Sequence, residues 1–188
     1  MSYHTQSVAP TIRPVSLDEI RADRRVTEHD EDGLLLDCLD AAVDYVEKVT
    51  GRQLCTATWV RTLDAWPSGD VIALRPPVAS VTSVQYVDSN GTTQTLSTDV
   101  YEVSTGADRV QLKYNQVWPV ARAQFDAITV TYTAGAAAAS VPATLKRAVL
   151  YLAGHYYENR EPVSFGATPA DVALTVNSLI AVDQEAAF

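Results

Sequence analysis

The sequence predicts an α+β chain: a small helical bundle of about four helices, with a β-rich insertion (a small sandwich or open barrel) between helices 2 and 3. Three observations predict it. Residues 16–53 and 140–160 carry helical spacing and helix-cap chemistry. Residues 54–134 switch to short alternating runs broken by Gly, Pro and Asn-Gly turns. The chain has 188 residues, 47% hydrophobic and 20% charged, which is enough apolar material for a packed core and argues against a disordered or fibrous protein. On this reading residues 1–15 form a flexible arm, and 161–188 a C-terminal helix or arm.

The first helix opens at Ser16-Leu-Asp-Glu19, where a Ser followed three residues later by Glu has the spacing of a capping box, and it runs to about Arg24. Asp30-Glu-Asp32 then places acids where the positive end of a helix dipole favours them. The second helix runs from about Glu31 to Thr50 and stops at Gly51, a residue that tolerates a left-handed cap. Leu35, Leu39, Ala42, Val46 and Val49 form one stripe along it. Asp37, Asp40, Asp44 and Glu47 form another, roughly opposite.

Thr56–Leu63, Val71–Leu74, Val81–Val87, Thr92–Leu96, Val100–Val103, Arg109–Leu112 and Ala127–Tyr132 read as short strands. Trp66-Pro67-Ser-Gly69 is a turn, and Asp88-Ser-Asn-Gly91 a hairpin turn in which Asn-Gly accepts positive φ. After the small-residue connector Ala134–Ala139, Ser140-Val-Pro142 reads as cap and first turn of a third helix that continues to about Asn159. Its middle, Ala148–Gly154, is apolar on every side, and such a helix has to be covered on every side. Val149, Leu150, Tyr151, Leu152, Tyr156 and Tyr157 are therefore the candidate subunit interface. Thr168-Pro-Ala-Asp171 opens a last helix to about Val182. Its Val172, Leu174, Val176, Leu179 and Ile180 are spaced too irregularly for one helix face, so this segment, with Phe188, is expected to order on docking to a partner.

Charge excludes one large class of function. Fourteen basic residues against 23 acidic ones leave a net −9 and a pI near 4.7, with no cluster of Lys and Arg to grip nucleic-acid phosphates. No Gly-x-Ser-x-Gly elbow, phosphate loop or dinucleotide fingerprint occurs. His155 and Glu158, one helical turn apart, are too few for a metal site, and the expectation is no metal, no cofactor and no catalytic residue. Cys38 and Cys55 read as buried small hydrophobes. The acidic stripe lacks any device to separate its pKa values, as paired acid–base catalysis requires. It reads as a solvated face, or as a negative wall that repels a polyanion, or as a partner for Arg21, Arg24 or Arg25 of a neighbouring molecule. No run of about 20 apolar residues predicts a membrane span, and neither a signal peptide nor a disulfide framework is predicted. A reduced, cytoplasmic site of synthesis is expected.

Taken in order, Pro14-Val-Ser-Leu-Asp-Glu19, Asp30-Glu-Asp32, Val46-Glu-Lys-Val-Thr-Gly-Arg52, Trp59, Leu63-Asp64, Trp66-Pro67, Leu74-Arg-Pro-Pro-Val78, Ser80–Asp88, Trp118-Pro119 and Leu145 through His155-Tyr-Tyr-Glu-Asn-Arg-Glu161 resemble tailed-phage head–tail connector proteins (adaptor or head-completion proteins), also found in prophages and gene transfer agents. The resemblance covers residues 14–161. It implies a non-catalytic virion protein at the particle neck. It further implies a homo-oligomeric ring, commonly a dodecamer, under the portal protein, which extends the DNA channel and presents a surface to stopper or tail-completion proteins. Double-stranded DNA would pass through the lumen without specific binding, and no membrane would be involved. In that setting the stripe of Asp37, Asp40, Asp44 and Glu47 is a candidate channel lining, and Val172, Leu174, Val176, Leu179, Ile180 and Phe188 a candidate portal-docking segment. The alternatives are a tail- or baseplate-side structural protein, a carbohydrate-binding module using Trp59 and Trp66, and, further off, a small hydrolase.

Overall fold

Three α-helices and eight strands are found among the residues that the structure, a computed structural model, describes: 2–159, 178, 179 and 181. They fall into two units, Met1–Thr11 with Cys55–Ala136, and Ile12–Leu54 with Ala137–Phe188.

The second unit contains α1 (Leu17–Arg24), α2 (Asp32–Thr50) and α3 (Ala143–Glu158). Ser16 caps α1 with a complete capping box: its Oγ accepts from Glu19 N at 3.2 Å, and Glu19 Oε2 accepts from Ser16 N at 2.6 Å. These bonds hold the Glu19 carboxyl below its ordinary range. Gly51 ends α2 in the left-handed region at φ 67°. The buried face of α2 is Leu35, Cys38, Leu39, Ala42 and Val46, whereas Val49, expected on that stripe, is 39% exposed. Helix α3 starts later than its sequence suggests. Ser140 ends a 3-10 turn (Ala138–Ser140), and Pro142 is the N-cap rather than the first helical residue. Leu145, Ala148, Val149, Leu152 and Ala153 of α3 are buried, and the helix packs on α1 and α2. The fourth helix expected over 168–182 lies almost wholly outside the described residues.

The first unit is a two-sheet sandwich. One antiparallel sheet has the order β1-β2-β8-β4-β5, with β1 Ser2–Val8, β2 Ala57–Leu63, β4 Val78–Val87, β5 Thr93–Thr95 and β8 Ile128–Ala134. The other has the order β3-β7-β6, with β3 Val71–Ala73, β6 Tyr101–Ser104 and β7 Arg109–Leu112. The central strand β8 alternates strictly: Ile128, Val130, Tyr132 and Ala134 are buried, and the residues between them are half-exposed. They share one core with Val84, Leu96, Ile72, Tyr101 and Val110, so both sheets contribute to it. Two register shifts, between Val78 and Ser80 and between Val81 and Ser83, bend β4. The Asp88–Gly91 turn closes as its sequence implies, with Gly91 at φ 85° and Asp88 Oδ1 accepting from Asn90 N (2.9 Å) and Thr92 N (3.0 Å).

One expectation is corrected at the N-terminus. Ser2–Val8, read as part of a flexible arm, is an edge strand in register with β2 from Ser2↔Leu63 to Val8↔Thr58. The β unit is therefore not purely an insertion between α2 and α3. All seven residues are exposed, so backbone bonding rather than burial makes the strand, and a polar sequence carries no period to announce it.

A side-chain network also pins β1. The Arg75 amide donates to Tyr132 Oη at 3.2 Å, and the same hydroxyl is hydrogen-bonded to His4 Nδ1 at 2.9 Å. Burial of the ring nitrogen, with the Arg61 and Arg75 guanidinium charges, lowers the His4 pKa to about 4. Because the unfolded chain takes up this proton near pH 6.5, the stability tied to neutral His4 is complete above that value and is lost as pH falls toward 4. The Tm difference between wild type and His4→Gln should accordingly shrink from pH 7 to pH 4. A difference constant across that window would contradict the network.

Candidate functional site

Three surfaces carry the residues singled out in the sequence. The first is the outer side of α3. Val149 and Leu152 are 0% and 6% exposed, packed within their own helical unit. Tyr157 is also engaged internally, its hydroxyl donating to the Glu31 carboxylate. Leu150 and Tyr156 are half-buried, and burial raises the Tyr156 pKa. Tyr151 faces outward at 42% exposure, with the Arg147 guanidinium 5.2 Å from its ring centre. Much of α3 is therefore covered within the chain, while Leu150, Tyr151 and Tyr156 keep exposed surface.

The second surface is the acidic stripe of α2. Asp37, Asp40 and Asp44 are exposed and Glu47 is half-buried. Within the chain, Asp40 takes both Nε and Nη2 of Arg13 at 2.6 and 2.8 Å, and Asp44 pairs with Lys48 at 2.6 Å. Glu47 Oε1 accepts from Gln53 Nε2 (2.7 Å) and Leu54 N (2.9 Å), so it ties the helix end to the following segment. The proposed neighbour arginines have partners at home too. Arg21 binds Asp32, and Arg24 binds Asp23 at 2.7 Å and Glu158 at 2.8 Å. Pairing of the stripe with Arg21 or Arg24 of another molecule is thus disfavoured. A pocket of about 230 Å³ in the same helical unit, lined by Val26, Thr27, Glu28, Asp30, Glu31 and Tyr157, is acidic.

The third surface escaped the sequence reading. Between β7 and β8, Tyr114, Val117, Val120 and Phe125 stand exposed on a loop with neither helical nor strand spacing. Trp118 anchors that loop by stacking on Trp66, with ring centres 4.5 Å apart and planes at 6°. Trp66 Nε1 donates to Pro119 O at 2.8 Å, and Trp118 Nε1 to Gly69 O at 3.2 Å. Trp59 is half-buried with Arg75 over its ring at 4.6 Å. Trp59 and Trp66 thus pack against the sandwich core rather than forming an exposed glycan platform.

Chemistry-bearing residues are dispersed. Glu158 is held by Arg24 and His155 faces Asn159, so the helical His–Glu pair does not converge. No group of three or more metal-binding side chains occurs among the described residues, and Cys38 and Cys55 are buried free thiols. Among the described residues, no helix is long and apolar enough to cross a membrane. Of the candidate docking segment only Leu179 is described; it is half-buried, and Val172, Leu174, Val176, Ile180 and Phe188 lie outside the described residues.

No family model matches the chain, and no curated protein matches it. Solved structures do. A chain in the neck of an empty gene transfer agent particle, computed with C6 symmetry, is 26% identical with a TM-score of 0.77, covering 94% of both chains. A chain in the virion of a native gene transfer agent particle is 25% identical with a TM-score of 0.77 at the same coverage. A chain in the neck of a native particle, computed with C12 symmetry, is 26% identical with a TM-score of 0.72, covering 95% of this chain and 94% of that one. Over nearly its whole length, then, this chain is similar to structural proteins of the gene transfer agent neck, in agreement with its resemblance to head–tail connector proteins.

Proposed function

We propose that the chain is a structural head–tail connector of a virion or gene transfer agent particle. In this role it forms a ring of copies under the portal protein, lengthens the DNA channel and presents a docking surface to stopper or tail proteins. One observation carries the reading: the likeness to a neck protein extends over 94% of each chain, helical unit and sheets together, beyond what a common helical or β motif would produce. The C6 and C12 symmetries of those necks support a ring of identical copies. The reading assigns the chain no catalytic step.

Deleting the gene should yield DNA-filled heads without tails, and resupplying the full chain should restore tails together with ring density at the neck. Tailed particles with complete necks in the absence of the chain would end the proposal.

The negative balance of the chain suits a conduit that DNA slides through, because like charge keeps the polyanion from adhering to the wall. We assign that task to the stripe of Asp37, Asp40, Asp44 and Glu47, and portal contact to residues 161–188. Asp40 and Glu47 also hold the fold, so the informative substitutions are Asp37→Lys with Asp44→Lys. The double variant should assemble normally and deliver DNA several-fold more slowly at low salt, an effect that added salt diminishes. Unchanged delivery would remove the stripe from the channel.

A further inference from the structure

The loop from Lys113 to Asp126 does something unusual for a water-facing segment. Tyr114 is 96% exposed, Val117 78%, Val120 79% and Phe125 82%. The loop holding them is well tied. Besides the Trp66–Trp118 stack, Arg122 N donates to Val87 O at 2.9 Å, Gln116 N to Lys113 O at 3.0 Å, and Lys113 Nζ to Thr98 O at 2.8 Å. A slack loop would turn its apolar groups inward at little cost. This one is held by its backbone and tryptophans with four large apolar side chains outward, an arrangement that marks an interaction surface.

The charge of the loop narrows the partner. From Lys113 to Asp126 the ionised side chains are Lys113, Arg122 and Asp126, a net +1 in a chain whose net charge is −9. The segment is mainly apolar and nearly neutral on an acidic protein, so like charge opposes its approach to a second copy of this chain less than it would over most of the surface. A cyclic ring also requires every copy to meet its two neighbours through two unlike patches, one of which this loop can supply.

We infer that the Lys113–Asp126 loop is one half of the contact between adjacent copies, with Tyr114, Val117, Val120 and Phe125 seated on the next chain. The inference rests on the ring reading above, and it moves the subunit contact from the largely self-covered α3 to the β unit.

A photo-crosslinking benzoyl-phenylalanine placed at Tyr114 of the full chain, in assembled particles, tests it. Irradiation should give an adduct of twice the 20.4 kDa chain mass containing this chain alone. The pair Tyr114→Glu with Phe125→Glu, on side chains that pack against nothing in the monomer, should keep the circular dichroism and Tm of the wild type. It should lower neck occupancy about tenfold or more, as expected when central apolar anchors of an interface are replaced. An adduct with any other protein, no adduct, or full occupancy by the double variant would overturn the inference while leaving the neck reading intact. Failure of the neck reading registers separately, as wild-type particles whose mass spectrum lacks this chain before any irradiation.

Discussion

Gly135→Ala should destabilise the β unit by about 3 kcal/mol or more, since strain at a position with positive φ and overpacking each cost ~1–3 kcal/mol. Gly135 lies just past β8 at φ 95°, a backbone conformation that L side chains rarely adopt. A methyl group there would lie 2.9 Å from Thr56 N and closer still to the Cys55 carbonyl. Those obstacles are backbone and cannot rotate away. They belong to the seam where Cys55 bridges Ala136, Thr56 N donates to Ala136 O at 3.2 Å, and Gly135 N donates to Pro77 O at 2.8 Å. Urea unfolding of the variant should show a clearly lower midpoint at unchanged slope. A loss below about 1 kcal/mol would mean that the seam yields more easily than its geometry allows.

The second large effect is expected in the helical unit, from Asp23→Ala. Asp23 Oδ2 accepts from Arg24 Nε (2.9 Å) and Nη2 (2.7 Å), while Oδ1 accepts from Arg147 Nη1 (2.7 Å), so one carboxylate ties α1 to α3. Its side chain is only 16% exposed and that of Arg24 19%. Gly154 of α3 makes room for this, since a Cβ there would collide with the Arg24 guanidinium. Removing the carboxylate leaves Arg24 only its Glu158 partner, 2.8 Å away, and takes the Asp23 bond from Arg147, which should cost about 1–3 kcal/mol, as for lost hydrogen bonds to charged groups. Burial alone would raise the Asp23 pKa, but hydrogen bonds from Arg147 and Arg24 outweigh it and hold the carboxyl below its ordinary 3.8. The stabilisation is therefore complete above that value and is lost as pH falls through the lower, folded one. The Tm gap between wild type and variant should be wide at pH 7 and close in strong acid. Equal Tm values at pH 7 would show that the triad contributes nothing.

Much of the architecture was legible because its signals are local. The capping box needs only Ser16 and Glu19, the stop of α2 only Gly51, and the hairpin only Asp88–Gly91, and each forms as those residues imply. Strand positions from Ala57 to Ala134 follow the alternation to within a residue or two, apart from β4, which starts at Val78 rather than Val81. The misreadings share a different origin. Ser2–Val8 joins the sheet by backbone pairing with residues fifty or more positions away, and its side chains stay in water, so nothing in their order marks a strand. In the sequence Asp40 is one of four equivalent acids; in the fold Arg13, 27 residues earlier, bonds to it.

What the sequence determined by itself is the α+β class, the helix caps, the turns, the burial of both cysteines and a family resemblance spread over most of the chain. Only the tertiary structure decided which apolar surface is spent at home and which remains for others. Periodicity reports that a helix like α3 needs cover but not who provides it, and here α1 and α2 do. An irregular loop has no period at all, so the exposure of Tyr114, Val117, Val120 and Phe125 emerges only once the Trp66–Trp118 stack and long-range backbone bonds have set its course.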